Sequence, residues 1–125
     1  MRRVLLDTNI VARLLPRPAS TQHVTVGQAV AQLRKEQYDL FVVPQVLYEF
    51  WVVATRPIER NGFGLTPAEA AQDMNSLQSL FFLLRDERSV FGHWQELVVQ
   101  FSVLGKAAHD ARLVASMKRM HYRIC

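Results

Sequence analysis

Three acidic residues lie at positions where an α/β fold can use a carboxylate in a binding or catalytic site. The first, Asp7, directly follows an apolar run at residues 3–6 that predicts a strand. In open parallel sheets, ligands bind at the carboxyl ends of strands, and a short polar side chain there points into the crevice. Asp7 is therefore a candidate site residue. The same position also suits the N-cap of a short helix predicted at residues 10–14.

The second acid, Glu49, lies in an otherwise apolar helix predicted over residues 45–56. Helical geometry places it beside Val46 and Val53, on the shoulder of the buried face. A carboxylate in such a place costs free energy unless it is paired or bound to a metal. Arg56, seven residues further along the same row, offers an ion pair as the alternative explanation.

The third acid, Asp110, lies in the first turn of a helix predicted over residues 107–120. An acid in this place interacts favourably with the helix dipole, which is a sufficient structural reason for it. Its neighbours along the helix, Val114 and Met117, are apolar, so we expect the carboxylate to border the core.

One hypothesis covers all three acids. Carboxylates that converge from different elements repel one another while they are ionised. A hard divalent cation removes this repulsion, because Mg²⁺ and Mn²⁺ prefer oxygen ligands and keep several waters. Such a centre activates water and stabilises the charge of a phosphoryl displacement. A phosphotransfer domain with Asp7 as its nucleophile is a weaker alternative, because it needs a second acid where Asn9 stands.

The elements that must position these acids follow from alternating apolar runs and helical patterns. Strands are predicted at residues 3–6, 40–43 and 82–84, and the beginning of a fourth at residues 122–125. Helices separate them, and Thr66-Pro67-Ala68-Glu69 is a strong helix start, with a threonine cap and a glutamate three residues later. This order predicts a three-layer α/β/α domain with a central, mostly parallel sheet whose last strand is incomplete.

Length and composition favour one small, intracellular domain. The chain has 125 residues, which we interpret as a single domain over residues 1–125. One cysteine excludes a disulfide scaffold and a cysteine-rich zinc module, and no apolar run approaches the roughly 20 residues of a membrane helix. We therefore expect a cytoplasmic protein. The net charge of +4 suits an RNA partner, and it also suits ordinary solubility.

Four short segments along the whole chain carry a family resemblance. They are Leu5-Leu6-Asp7-Thr8-Asn9-Ile10, then Tyr48-Glu49-Phe50 with Ala54-Thr55-Arg56-Pro57, then Arg60-Asn61-Gly62-Phe63-Gly64-Leu65-Thr66, and finally Ala108-His109-Asp110-Ala111-Arg112-Leu113. With these segments in this order, the sequence resembles a PIN domain, and in particular the VapC-type toxin ribonucleases of bacterial toxin–antitoxin pairs.

The resemblance implies a function and a site. Asp7, Glu49 and Asp110 map to the acidic positions of that family, as catalytic and metal-binding residues. Thr8 and Asn9 map to groups that orient Asp7 or a bound water. The implied activity is Mg²⁺- or Mn²⁺-dependent endoribonuclease cleavage by water attack on phosphorus. The implied partners are the RNA substrate, a small antitoxin that occupies the active-site groove, and a second copy of the chain.

The carboxyl-terminal end departs from the family pattern. PIN domains usually continue into a segment that contributes a fourth acidic or amide group, and this sequence ends at Cys125 before any such segment. We expect part of the metal site to be missing, and Asp86 and Glu87 are weak candidates to replace it. A catalytically weak or inactive module that binds antitoxin, itself or RNA is therefore the alternative function.

The helix predicted over residues 45–56 carries more apolar side chains than one core needs. Leu47, Tyr48 and Trp51 extend its apolar arc beyond the face that contains Val46, Phe50 and Val53. We expect this excess to be buried in a homodimer.

Overall fold

A computed structural model describes residues 2–15, 22–85, 88–120 and 123–124, with backbone alone from residue 118 onward. Strands and helices alternate along these ranges. The strands are β1 (Arg2–Leu5), β2 (Tyr38–Val42), β3 (Phe82–Leu83) and β4 (Arg123–Ile124). The helices are α1 (Thr8–Leu14), α2 (Gln22–Lys35), α3 (Pro44–Thr55), α4 (Pro67–Leu80), α5 (Arg88–Gln100) and α6 (Ala107–Met120).

The four strands form one parallel sheet in the order β3-β2-β1-β4. The two central strands pair Arg2 with Tyr38 through to Leu5 with Phe41, and the edge strands are two residues long. This is the predicted α/β/α architecture with a parallel sheet, and the predicted elements exist with bounds shifted by one or two residues. Because β1 and β2 are parallel neighbours, α1 and α3, which follow them, begin at the same edge of the sheet.

The core lies between the sheet and its helices. Its fully buried large side chains come from β1 and the residue after it, β2, α1, α3 and α4, and they are Leu5, Leu6, Val11, Val42, Val46, Phe50 and Leu77. Each such aliphatic or aromatic side chain contributes about 1.5–3 kcal/mol when it leaves water. This packing fixes the first turns of α1 and α3 to the carboxyl ends of the two central strands.

The segment after α3 folds back and satisfies the carbonyl groups at the end of that helix. The amide of Phe63 donates to the Val53 carbonyl at 3.0 Å, and the amide of Leu65 donates to the Ala54 carbonyl at 2.9 Å. A single 3₁₀ turn at Ile58–Arg60, which the sequence did not predict, starts this return. The last carbonyls of a helix have no partner inside the helix, so the loop acts as its cap.

Gly62 is required in this loop because of a close backbone approach. A Cβ atom at position 62 would lie 1.9 Å from the carbonyl oxygen of Arg56. That atom is backbone and is held at the end of α3, so it has little room to move. The glycine therefore sets the distance between the loop and the helix that carries Glu49.

The helix start predicted at residues 66–69 is confirmed. The Thr66 side chain accepts from the Glu69 amide at 3.1 Å, and the Glu69 carboxylate accepts from the Thr66 amide at 3.0 Å. The Thr66 amide donates to the Glu69 carboxylate and, with a smaller contribution from the Thr66 side chain, lowers the pKa of Glu69 below its usual value, since both stabilise the charged form. The two capping hydrogen bonds define where α4 begins and therefore where the returning loop ends.

None of the helices in the described ranges is long and apolar enough to cross a membrane.

We predict that Gly62→Ala destabilises the protein by about 1–3 kcal/mol, because the new methyl group meets the Arg56 carbonyl. Gly27→Ala is the matched control. It lies in α2 with open space around its Cβ position, so alanine should stabilise the helix by about 0.5–1 kcal/mol. Urea unfolding of both variants measures the difference, and equal stabilities would refute the proposed close approach.

Candidate functional site

Asp7 occupies the N-cap position of α1, directly after β1. Its backbone is extended and its Oδ1 accepts from the Thr8 amide at 2.5 Å. Its carbonyl oxygen accepts from the amides of Ile10 and Val11, both at 3.1 Å. The sequence left two roles open for Asp7, a helix cap and a site residue. The structure shows the cap, and it leaves the carboxylate half-buried at the edge of the sheet where ligands of parallel α/β folds bind.

Glu49 is tied to α1 by a hydrogen bond across 41 residues of sequence. The Thr8 hydroxyl donates to Glu49 Oε2, and Gln45 Nε2 donates to Glu49 Oε1 at 3.1 Å. Each carboxylate oxygen thus has a donor, which a half-buried charge requires. Thr8 contacts Asp7 through its amide and Glu49 through its hydroxyl, so one residue connects the two predicted site acids.

The alternative explanation for Glu49, an ion pair with Arg56, is not what the structure shows. Arg56 Nη2 donates to the carbonyl oxygen of Asn61 at 3.1 Å, within the loop that returns after α3. The donors to Glu49 come from Thr8 and Gln45 instead.

The first turn of α6 is held by side chains from two other helices. Gln45 Nε2 donates to the His109 carbonyl at 2.9 Å, and Trp94 Nε1 donates to the Ala108 carbonyl at 2.7 Å. The His109 carbonyl belongs to the peptide group that also contains the amide of Asp110. The backbone that carries Asp110 is therefore joined to Glu49 through one side chain, Gln45.

The expectation that Asp110 borders the core is wrong. Its side chain is exposed, and its neighbour Val114 is exposed as well. The buried side of α6 is formed by Leu113 and Ala115 together with Ser116. Packing sets the rotation of the helix about its axis. This rotation leaves Asp110 and Val114 exposed, whereas Met117, further along the same row, packs against the core. Asp110 keeps its place in the first turn, where the helix dipole favours it.

Within the described ranges, no three histidine, cysteine, aspartate or glutamate side chains gather closely enough to enclose a metal by themselves. Magnesium does not need such a cage, because it keeps several waters and is commonly bound through one or two carboxylates. Asp7 and Glu49 supply hard oxygen ligands on either side of Thr8. Gln45 Oε1 is a buried oxygen with no hydrogen-bond partner in the described part of the chain. These donor types fit Mg²⁺ or Mn²⁺.

A groove of about 620 Å³ begins beside these residues. Thr8 and Asn9 line it at the first turn of α1, and apolar side chains of α1, α3 and the returning loop form much of its wall. Its lining residues also include three basic residues and no acidic ones; the basic residues are Arg13, His23 and Arg56. Two buried nitrogens in this lining, Arg56 Nε and His23 Nδ1, have no partner among the described residues.

The two predicted orienting residues differ in their contacts. Thr8 contacts both Asp7 and Glu49. Asn9 turns its side chain oxygen to Arg13 Nη1, which donates to it at 3.0 Å, and it therefore contributes to the groove lining. Gln45 was not among the predicted site residues. The signal that identifies it is a polar side chain in an apolar helix, four residues before the candidate acid.

Asp86 and Glu87, the candidate replacements for the fourth acid, lie outside the described residues. The metal-binding role of Asp7, Glu49 and Asp110 and the orienting roles of Thr8 and Asn9 stay predictions.

We predict that Thr8→Val destabilises the protein by about 1.5–3 kcal/mol, because it removes a hydrogen bond to the Glu49 carboxylate. Thr55→Val is the control, since the Thr55 hydroxyl bonds to the Trp51 carbonyl of its own helix. Urea unfolding should show the larger loss for the Thr8 variant, and Thr8→Ser should restore stability. A Thr8→Val protein as stable as the control would contradict the bond to Glu49.

Comparison with known proteins supports the fold. No protein-family model and no curated protein sequence matches the chain significantly. The solved structures that are similar to it include VapBC2 from Rickettsia felis bound to a promoter DNA fragment, with TM-score 0.70, 12% identity and coverage of 98% of this chain and 84% of that one. They also include Mycobacterium tuberculosis VapC20, a sarcin–ricin loop cleaving toxin, with TM-score 0.66, 17% identity and coverage of 95% and 84%. A further one is FitAB bound to the IR36 DNA fragment, with TM-score 0.63, 18% identity and coverage of 97% and 82%. This chain therefore has the fold of the VapC-type PIN domains.

Proposed function

We propose that this chain is a metal-dependent endoribonuclease and the toxin of a toxin–antitoxin pair. The observation that carries the proposal is the hydrogen-bonded series from Thr8 through Glu49 and Gln45 to the His109 carbonyl. It connects the segments that carry Asp7, Glu49 and Asp110, which are the three acids that the sequence singled out. The chain would act in the cytoplasm, where RNA and a protein partner are made.

In this proposal Asp7 and Glu49 hold Mg²⁺ or Mn²⁺ directly. The exposed Asp110, which does not gather with them closely enough in the described ranges to complete a cage, would reach the cation through a water. When bound, such a cation lowers the pKa of a coordinated water and stabilises negative charge on a phosphate. Thr8 keeps the Glu49 carboxylate in place by donating to it. The net charge of +4 attracts the RNA backbone to a domain whose reactive edge is acidic.

The groove beside the site supports a protein partner. It is mainly apolar, it opens at Thr8 and Asn9, and it carries cationic side chains without an acidic residue. An amphipathic segment with apolar side chains and a carboxylate fits this lining, because the carboxylate would pair with the exposed guanidinium of Arg13. An antitoxin segment lying in the groove would cover the entrance to the acids. Two of the similar structures, VapBC2 and FitAB, are bound to DNA fragments.

The exposed side of α3 supports a homodimer. Tyr48 is 64% exposed and Val52 is 56% exposed, one turn apart on the same face. Trp51 is half-buried beside them, whereas Leu47 packs inward at 7% exposure and does not contribute to this surface. We propose that Tyr48 and Val52 meet the same residues of a second copy.

We predict that purified protein cleaves RNA containing a sarcin–ricin-type loop in the presence of Mn²⁺ or Mg²⁺, and that Asp7→Asn and Glu49→Gln each lower the rate more than about a hundredfold. Loss of a residue that only contacts a metal ligand lowers metal affinity or activity about ten- to a hundredfold, so loss of a direct ligand should lower the rate more. Glu59→Gln, on the exposed 3₁₀ turn, is the charge-matched control and should keep full activity.

Equal cleavage by wild type and Asp7→Asn would reject the assigned role. Absence of cleavage and of saturable Mn²⁺ binding, with tight binding of a partner retained, would support the alternative of a non-catalytic module.

We predict that Ile58→Glu weakens binding of the protein encoded next to this gene by about tenfold or more, because Ile58 lines the groove and is 72% exposed. Val99→Glu is the control, since Val99 is equally exposed on α5 and does not line the groove. Titration calorimetry measures both. Equal dissociation constants would place the partner elsewhere.

We predict that the wild-type protein sediments as a dimer at micromolar concentration and that Tyr48→Asp sediments as a monomer, because a charge would be buried at the contact. Phe91→Asp, which changes an exposed aromatic residue on α5, serves as the control and should stay dimeric. A monomeric wild type would contradict this use of the α3 surface.

A further inference from the structure

Gln45 is one of two fully buried polar side chains in the described part of the chain. It is 6% exposed, and the other, Ser116, is 3% exposed. Ser116 bonds to the Arg112 carbonyl of its own helix at 3.2 Å, which is a local contact. Gln45 instead reaches a residue 64 positions away in sequence. Burial of an amide costs free energy unless its hydrogen bonds are made, so a contact of this kind requires a reason.

Both donors of the Gln45 amide are used on acceptors that need them. Nε2 lies 3.1 Å from Glu49 Oε1 and 2.9 Å from the His109 carbonyl oxygen. A carboxylate and a carbonyl only accept hydrogen bonds, so the nitrogen of the amide must face them. Gln45 therefore fixes the separation between the Glu49 carboxylate and the peptide group that leads into Asp110.

The oxygen of the same amide is an unused hydrogen-bond acceptor among the described residues. Gln45 Oε1 is buried and has no hydrogen-bond partner among the described residues. It belongs to the amide whose nitrogen contacts Glu49, one of the proposed metal ligands. A water on a hydrated Mg²⁺ or Mn²⁺ is a donor that fits this acceptor, since magnesium keeps several of its waters when bound.

We propose that Gln45 is a positioning residue of the metal site. It fixes the Glu49 carboxylate relative to the first turn of α6, and it offers Oε1 to a water of the bound cation. This inference rests on the proposed function, because it assumes that Glu49 binds a metal. It adds a residue that is neither acidic nor one of the predicted orienting residues Thr8 and Asn9.

The test is isothermal titration calorimetry, in which Mn²⁺ alone is added to the whole protein. Gln45→Met keeps the length of the side chain and removes both donors and the acceptor. We expect its Mn²⁺ dissociation constant to rise about ten- to a hundredfold, as for other partners of metal ligands. Ser116→Ala removes the other buried polar group and should leave the constant within about twofold of wild type, as expected for a side chain outside the site.

A double-variant cycle separates positioning from general destabilisation. If Gln45 acts through Glu49, Gln45→Met should change the Mn²⁺ affinity by less than about twofold in a Glu49→Gln background. Hydrogen exchange of the first-turn amides of α6 should also accelerate in Gln45→Met, since the bond to the His109 carbonyl is lost. If Gln45→Met does not fold, Gln45→Asn replaces it, with the same direction expected because its amide is one methylene too short to reach both acceptors.

The outcomes distinguish this inference from the proposed function. Saturable Mn²⁺ binding by wild type with equal affinity in Gln45→Met overturns the role of Gln45 alone. An equal loss in Gln45→Met and Ser116→Ala also overturns it, because both losses would then reflect stability. Wild-type protein without saturable Mn²⁺ binding overturns the proposed function together with this inference.

Discussion

The Glu49 carboxylate imposes the constraint on which the arrangement of the site depends. It is half-buried in an apolar helix, and such a charge must be hydrogen-bonded. Its two donors come from Thr8 at the start of α1 and from Gln45 one turn earlier in α3. Because Gln45 also holds the His109 carbonyl, satisfying one carboxylate fixes α1 and α6 against α3. Three segments distant in sequence thus meet at the edge where β1 and β2 end.

The fold separates negative and positive charge around this edge. Asp7 and Glu49 are hydrogen-bonded through Thr8, which places two like charges near each other. A divalent cation would offset their repulsion, and its preference for oxygen ligands matches the groups present. Arg13, His23 and Arg56 line the adjoining groove, which contains no acid. In the proposed function, the acidic edge would hold the cation and the adjoining groove would bind the protein partner.

The sequence predicted those features that depend only on residues close together in the chain. The capping box at Thr66 and the apolar strand before Asp7 each follow from a few consecutive residues, and both are present. The partners of Glu49 were not predictable this way, since periodicity compares a residue with its own helix and therefore suggested Arg56. The exposure of Asp110 depends on the rotation of α6 about its axis, which turns its own Leu113 and Ala115 to the core, and tertiary packing sets that rotation. Gln45 was missed because its acceptor lies 64 residues away.

The most direct test of the account is an anomalous scattering map from crystals of the protein soaked in Mn²⁺. The account predicts one strong peak in contact with carboxylate oxygens of both Asp7 and Glu49, beside Thr8 and within reach of the amide oxygen of Gln45 through a water. A map with no peak at this edge of the sheet, or with a peak held by other residues, would contradict it.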